Sequence, residues 1–225
     1  MLTANMSPSF LEEALRNRLA NGKRPKAIIL VHLYGMPAQI EAIKKISEEY
    51  EIPIIEDAAE AVGSKYDNQM LGTYGDMGVY SFNGNKIITT SGGGALVSND
   101  RILIESARKF ATQARDPFPH NQHSEIGYNY RLSNVCAAIG MGQLELLNDR
   151  VNQRRRNFEF YREHLGDLPG VEFLTEPSKL YFSNHWLTWM VINPNLTKAT
   201  PEGIRTSLSN VNIEARPLWK PMHQQ

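Results

Sequence analysis

The chain is predicted to fold as an α/β protein with a mixed, mostly parallel sheet and helices on both faces, and three features carry that expectation. Two short apolar runs, Lys26 to Leu33 and Ile52 to Ile55, flank an amphipathic pattern over about Gln39 to Tyr50. A strand–helix–strand order of this kind makes a right-handed βαβ unit in a doubly wound sheet. Further apolar stretches at Met77 to Phe82 and Ala95 to Val97 have strand rather than helix length.

Taken in order, Ser7-Pro8-Ser9 before Phe10-Leu11-Glu12-Glu13-Ala14-Leu15 reads as a capped first helix with proline in its first turn. The continuous apolar run Lys26 to Leu33 fits a parallel strand buried on both faces. Tyr34-Gly35-Met36-Pro37 is a loop into the amphipathic helix, and the next strand ends at Asp57. Arg101 to Gln113 follows Ser98-Asn99-Asp100 as a helix, and Asp116 to Ser124 is a polar loop. Leu132 to Leu165 is one long helical pattern with a bend near Asn148-Asp149. Beyond Gly170 come short strands at Val171 to Leu174 and His185 to Ile192, then a helix from Pro201 to Leu208. The boundary between a large domain, residues 1–147, and a smaller α+β domain, residues 148–225, falls within the long helix.

Bulk properties exclude several functions. Lysine plus arginine equal aspartate plus glutamate at 24 each, so the basic excess of a nucleic-acid binder is missing. Arg154-Arg155-Arg156 reads as a solvated helix face. The single cysteine, Cys136, rules out an internal disulfide framework, fits a reducing, cytoplasmic setting, and reads as a small buried residue. No apolar run approaches the ~20 residues of a membrane helix, and MLTANMSPSF lacks the pattern of a signal peptide. Among six histidines only His120 and His123 lie close together, without the cysteine or acidic cluster of a zinc site, so no metal is expected.

The informative chemistry lies at Lys86. It ends Ser81-Phe82-Asn83-Gly84-Asn85-Lys86, and Ile87-Ile88-Thr89-Thr90-Ser91-Gly92-Gly93-Gly94 follows, with an apolar strand on either side. Burial disfavours an ammonium ion, so a lysine in this setting suits Schiff-base chemistry with an aldehyde such as pyridoxal 5′-phosphate, PLP. That cofactor requires a carboxylate at its pyridinium nitrogen. Asp57, at the end of an apolar strand where α/β folds place ligand contacts, is the candidate. The plainer reading of Asp57 is a helix N-cap, and of Lys86 a surface lysine in a turn.

Three segments, EDAAEAVGSKYDNQMLGTYGDMGVYSFNGNKIITTSGGGALVSND, GYNYRLSNVCAAIGMGQLELL and EARPLWKPMHQQ, resemble in order the DegT/DnrJ/EryC1/StrS sugar aminotransferases. The resemblance implies a PLP-dependent transferase fold of the aspartate aminotransferase type. It implies PLP held as a covalent aldimine at Lys86, the same lysine then serving as the acid–base. Asp57 would pair with the pyridinium nitrogen, Glu60 would lie near the phenolic oxygen, and Ser81 would bind the phosphate. Glutamine is commoner than glutamate at the Glu60 position, and the Gly92-Gly93-Gly94 triplet departs from the family's Gly-Glu-Gly-Gly. Asn129 would reach the phosphate of a neighbouring subunit, implying a homodimer with shared sites. Arg131 would orient that loop or an anionic group. Arg216, Trp219, Lys220 and His223 would line a nucleotide-sugar site. The plainer alternatives are a serine bonding its own turn at Ser81 and a turn-fixing asparagine at Asn129.

The implied activity is transamination of a nucleotide-linked keto sugar, specifically a UDP-4-keto-6-deoxy sugar, with glutamate as donor. Lys86 separates this from the family's dehydratases, which carry histidine there. The resemblance further implies that the chain starts late and stops early relative to the family, outside its phosphate-gripping turn and ring-stacking aromatic. Two rivals follow: a truncated or degenerate member retaining fold and dimer surface without catalysis, and a nucleotide-binding α/β protein in which Lys86 and the glycines hold phosphate without covalent chemistry. The second predicts a G-x-x-x-x-G-K-[ST] loop, a spacing the sequence does not contain.

Overall fold

The computed structural model describes residues 3–221 and 224. Helix α1, Pro8–Ala20, begins with proline as expected, but Ser7 at its N-cap position does not cap it. The Ser7 hydroxyl pairs instead with Ser9 Oγ at 2.9 Å. Strand β1, Ile28–Val31, helix α2, Ile40–Tyr50, and strand β2, Ile54–Asp57, form the βαβ unit. The strands run parallel from Ile28 opposite Ile54 to Val31 opposite Asp57. Ile40 and Ile43, one helical turn apart, bury the inner face of α2.

A hairpin follows that the sequence reading passes over. Strands β3, Lys65–Tyr66, and β4, Gln69–Met70, pair antiparallel across Asp67-Asn68. Both turn residues have positive φ, 43° and 64°, as a two-residue primed turn requires. Strand β5, Met77–Ser81, then lies parallel to β2, and β6, Gly94–Val97, runs antiparallel to β5. The sheet order β1-β2-β5-β6 flanks β2 on both sides and puts Asp57 at its carboxyl end, where α/β folds place ligand contacts.

Asp100 caps α3, Arg101–Ala111, its Oδ1 accepting from the Ile102 N–H at 2.7 Å. The long helical pattern separates into α4, Asn134–Glu145, and α5, Leu147–Leu165, with the break at Leu146, slightly before the expected bend. Strands β7, Val171–Phe173, and β9, Met190–Ile192, pair antiparallel, and helix α6 covers Pro201–Ser209. Between them in sequence, β8, Tyr181–Phe182, pairs with β3. The strand anticipated over His185 to Ile192 is therefore shorter, and His185 itself has a left-handed φ of 45°.

The chain forms two compact units, Met1–Arg155 with Glu176–Trp186 and Arg156–Thr175 with Leu187–Gln225. The division falls within α5 after Arg155, whereas the sequence pattern puts it between 147 and 148. Residues 176–186 belong to the first unit for a physical reason. Arg155 Nη1 donates to Glu176 Oε1 and to the Ser183 carbonyl, both at 2.6 Å, while β8 extends the hairpin sheet.

The first unit's core gathers Leu15, Ile28, Leu30, Ile40, Ile43, Ile52, Ile54, Ala58 and Leu71. Each large apolar side chain so buried contributes about 1.5–3 kcal/mol. One expectation fails in β1: Ile28 and Leu30 are buried, but Ile29 and Val31 are 60% and 39% exposed. The strand is covered on one face only. In the second unit, Phe158 is buried edge-on against Phe173 at 6.1 Å. Among the described residues no helix is long and apolar enough to cross a membrane.

Candidate functional site

The carboxyl end of β2 and the turn after β5 bring three of the anticipated residues into one unit. Lys86 Nζ lies 3.5 Å from Glu60 Oε1, with side chains only 13% and 9% exposed. Asp57 Oδ1 accepts the Ala59 N–H at 3.1 Å, and a run of turns rather than a helix follows it. The helix N-cap reading of Asp57 therefore does not apply.

Glu60 is held by a strained turn. Tyr34, in the one-turn 3-10 segment Leu33–Gly35, has φ 54°, and its N–H donates to Glu60 Oε2 at 2.7 Å. A non-glycine residue in the left-handed region costs on the order of 1–3 kcal/mol and persists where surroundings over-determine it. Gly35, at φ 80°, closes the turn against Asn184, where an added Cβ would come within 1.8 Å of Asn184 Oδ1. Burial pushes the Glu60 carboxyl above its ordinary range. The Tyr34 N–H and Lys86 oppose that rise, and Asp57 adds to it.

Sequence reasoning missed the residue beneath Lys86. Trp186 is buried, its ring centroid lies 4.3 Å from Lys86 Nζ, and its Nε1–H donates to the Asn85 carbonyl at 2.9 Å. Tyr34 stacks on the same indole at 6.4 Å. Asn184 anchors this segment, its Nδ2 donating to the Glu60 and Val62 carbonyls at 2.8 and 2.9 Å and its Oδ1 accepting the Trp186 N–H at 2.9 Å. Nothing in the local pattern of Ser183 to Trp186 announces a contact about a hundred residues upstream.

Glu56, next to Asp57, was also passed over. It is fully buried and accepts the Gly72, Tyr74 and Gly75 N–H groups at 2.8, 2.5 and 2.7 Å. His32 Nε2 lies 3.0 Å from Glu56 Oε2, and its Nδ1 accepts the Ala38 N–H at 3.1 Å, which leaves the Nε2 proton for Glu56. Burial pushes Glu56 upward, but His32 and the backbone donors outweigh it and hold the carboxyl below its ordinary range.

The other anticipated residues make contacts of their own. Ser81 Oγ accepts the Asn83 N–H at 3.3 Å, the bond to its own turn. Asn129 is exposed, bridged to Thr112, in a shallow groove of about 490 Å³ lined by Gly92 to Gly94, Arg131, Ser133 and Cys136. Cys136 is half-buried rather than buried. Arg216, paired with Glu214 at 2.7 Å, and the exposed Trp219 and Lys220 belong to the second unit. His223 lies outside the described residues. His120 stacks on Phe118, and His123 Nδ1 is bonded to the Gln113 carbonyl.

The donor set fits PLP: an amine for the aldehyde carbon, a carboxylate at a strand end, and a second carboxylate beside the amine. Residues 1–225 match the DegT/DnrJ/EryC1/StrS aminotransferase family. The putative pyridoxal phosphate-dependent aminotransferase EpsN of Bacillus subtilis is 52% identical over 99% of this chain and 56% of its own length. GDP-perosamine synthase of Escherichia coli O157:H7 is 37% identical over 98% of this chain and 57% of its own length. The structure of a DegT DnrJ EryC1 StrS aminotransferase from Brucella abortus superimposes with a TM-score of 0.87 at 30% identity, covering 100% of this chain and 58% of that one. The chain thus spans little more than half the length of these relatives. It belongs to the DegT/DnrJ/EryC1/StrS aminotransferase family, with the fold of its PLP-dependent members.

Proposed function

We propose that this chain supports PLP-dependent transamination of a nucleotide-linked keto sugar to an amino sugar, the sugar being a UDP-4-keto-6-deoxy sugar and the donor glutamate. The observation that carries the reading is the half-enclosed Lys86 amine, flanked by Glu60 in the unit that also presents Asp57. The names of two relatives support the transamination and the nucleotide link but not the choice of UDP or glutamate, one being a putative PLP-dependent aminotransferase and the other GDP-perosamine synthase.

PLP supplies a carbonyl and an electron-accepting ring. The chain's residues supply the rest. Lys86 Nζ would hold the cofactor and would be the group that carries a proton to and from the substrate carbon. The Asp57 carboxylate would hold the ring nitrogen's proton. Glu60 orients Lys86 Nζ and, with its raised affinity for a proton, would be a hydrogen-bond partner for the phenolic oxygen. Asn129 serves a neighbouring copy in a homodimer, a reading supported by its exposure and by the exposed apolar residues Val135, Met141 and Leu144 of α4.

The test is the visible absorbance spectrum of the purified chain with added PLP, beside Lys86→Ala. A band of the lysine-bound cofactor in the wild type alone is expected. Its absence from folded wild type overturns the reading in favour of a non-catalytic family member. Where the band forms, UDP- and GDP-linked 4-keto sugars offered with glutamate distinguish the nucleotide by the mass of the amino sugar formed.

A further inference from the structure

We propose that Trp186 is a positioning residue for Lys86, fixing the amine from below while Glu60 holds it from the side. The inference rests on Lys86 being the reactive amine of the proposed function, and it concerns a residue outside the motifs by which the family was identified. Two separate contacts from one indole fall on consecutive residues. The ring face lies 4.3 Å under Lys86 Nζ, and the ring N–H binds the carbonyl of Asn85 at 2.9 Å. The first restrains the end of the side chain and the second restrains the backbone from which it springs.

The indole is itself fixed. It is almost wholly buried, stacked on Tyr34, and its backbone N–H is bonded to Asn184, whose amide holds the Glu60 and Val62 carbonyls. The same Tyr34 whose ring stacks on Trp186 gives its N–H to Glu60. Glu60, Lys86 and Trp186 are therefore placed by one assembly of Tyr34, Gly35 and Asn184. A buried ring face beneath a cation is worth more than an exposed one, because less water competes for the charge.

The experiment reads Lys86 without cofactor. The chain is acetylated briefly with trace acetic anhydride, and the rate at Lys86 relative to Lys26 is taken by peptide mass spectrometry. In Trp186→Leu the relative rate at Lys86 should rise about three- to tenfold as the amine loses its restraint. Trp186→Phe keeps a ring face and should recover at least half of the difference. A merely structural role would raise Leu and Phe variants equally, in step with any loss in unfolding midpoint, and that result overturns the proposal. So does an unchanged rate in a folded Trp186→Leu chain.

Should Trp186→Leu not fold, Lys86→Met in the otherwise native chain gives the reciprocal measurement. A shift in tryptophan emission is expected, and no shift overturns the assignment. The acetylation arm stands apart from cofactor binding. Wild type that fails to develop the visible band with PLP counts against the proposed function, and leaves the Trp186 result to be judged by labelling.

Discussion

Glu56 and Glu60 stand four residues apart, both withdrawn from water, and they are held in opposite ways. Glu56 receives three backbone N–H groups and a histidine N–H, and its charge is stabilised. Glu60 has the Tyr34 N–H and a lysine 3.5 Å away, and its charge is disfavoured. The difference separates scaffold from site. A buried carboxylate with its hydrogen-bonding capacity filled ties strands and loops together. One with a single backbone donor, beside an amine, keeps its proton affinity available for chemistry.

The sharpest way to break this comparison is to delete each carboxylate. Glu56→Ala strands four donors in the core, each costing about 1–3 kcal/mol less whatever entering water recovers. A loss of about 3–5 kcal/mol is expected by urea denaturation, a large part of a typical domain's stability. Glu60→Ala releases one backbone N–H and a lysine but also removes a carboxylate whose charge burial disfavours, so about 1 kcal/mol or less is expected. Equal losses would show that the two carboxylates do the same job.

Glycines sharpen the contrast between the turn that holds Glu60 and the open groove beside Asn129. Gly35→Ala puts a methyl group into Asn184 and a side chain onto a left-handed backbone, at a cost of about 2–4 kcal/mol. Gly92→Ala meets nothing within 4 Å at an ordinary φ, and should stay within about 0.5 kcal/mol of wild type. Thermal unfolding of the two variants side by side checks this. A tolerated Gly35→Ala would mean that the Tyr34 turn is not the constraint on Glu60.

What the sequence made legible follows from how far each signal reaches. The βαβ unit, the strand ends at Asp57 and Ser81, and the helix after Asp100 are local patterns, and they could be read directly. Lys86 and Glu60, in the turns beyond β5 and β2, were assigned to one site through the family resemblance. The Trp186 contact could not be read, since it depends on β8 crossing back to β3, and a two-residue strand leaves no periodicity to detect. Glu56 was hidden for another reason. Alternation along β2 points it inward as clearly as it points Ile54, but its partners lie in the Gly72–Gly75 loop and at the end of β1, and only the folded chain brings them together. Exposure at Ile29 and Val31 shows the limit of composition, because an apolar run does not say which of its faces has a neighbour.

The smallest expected effect carries the most discriminating sign. Glu56 is lowered in the folded chain, so its contribution is present above its ordinary value of 4.5 and is lost as pH falls through the lower folded value. Glu60 is raised, so folding is burdened by its charge above the raised value and relieved of that burden below 4.5. Glutamine mimics the protonated form at either position. As pH rises toward 4.5, Glu56→Gln should therefore fall further behind wild type and then hold level, whereas above 4.5 Glu60→Gln should gain on it. Urea midpoints at four or five pH values measure both slopes. Slopes of the same sign would mean that the two carboxylates share one electrostatic environment, and that Glu60 is not the poised member of the pair.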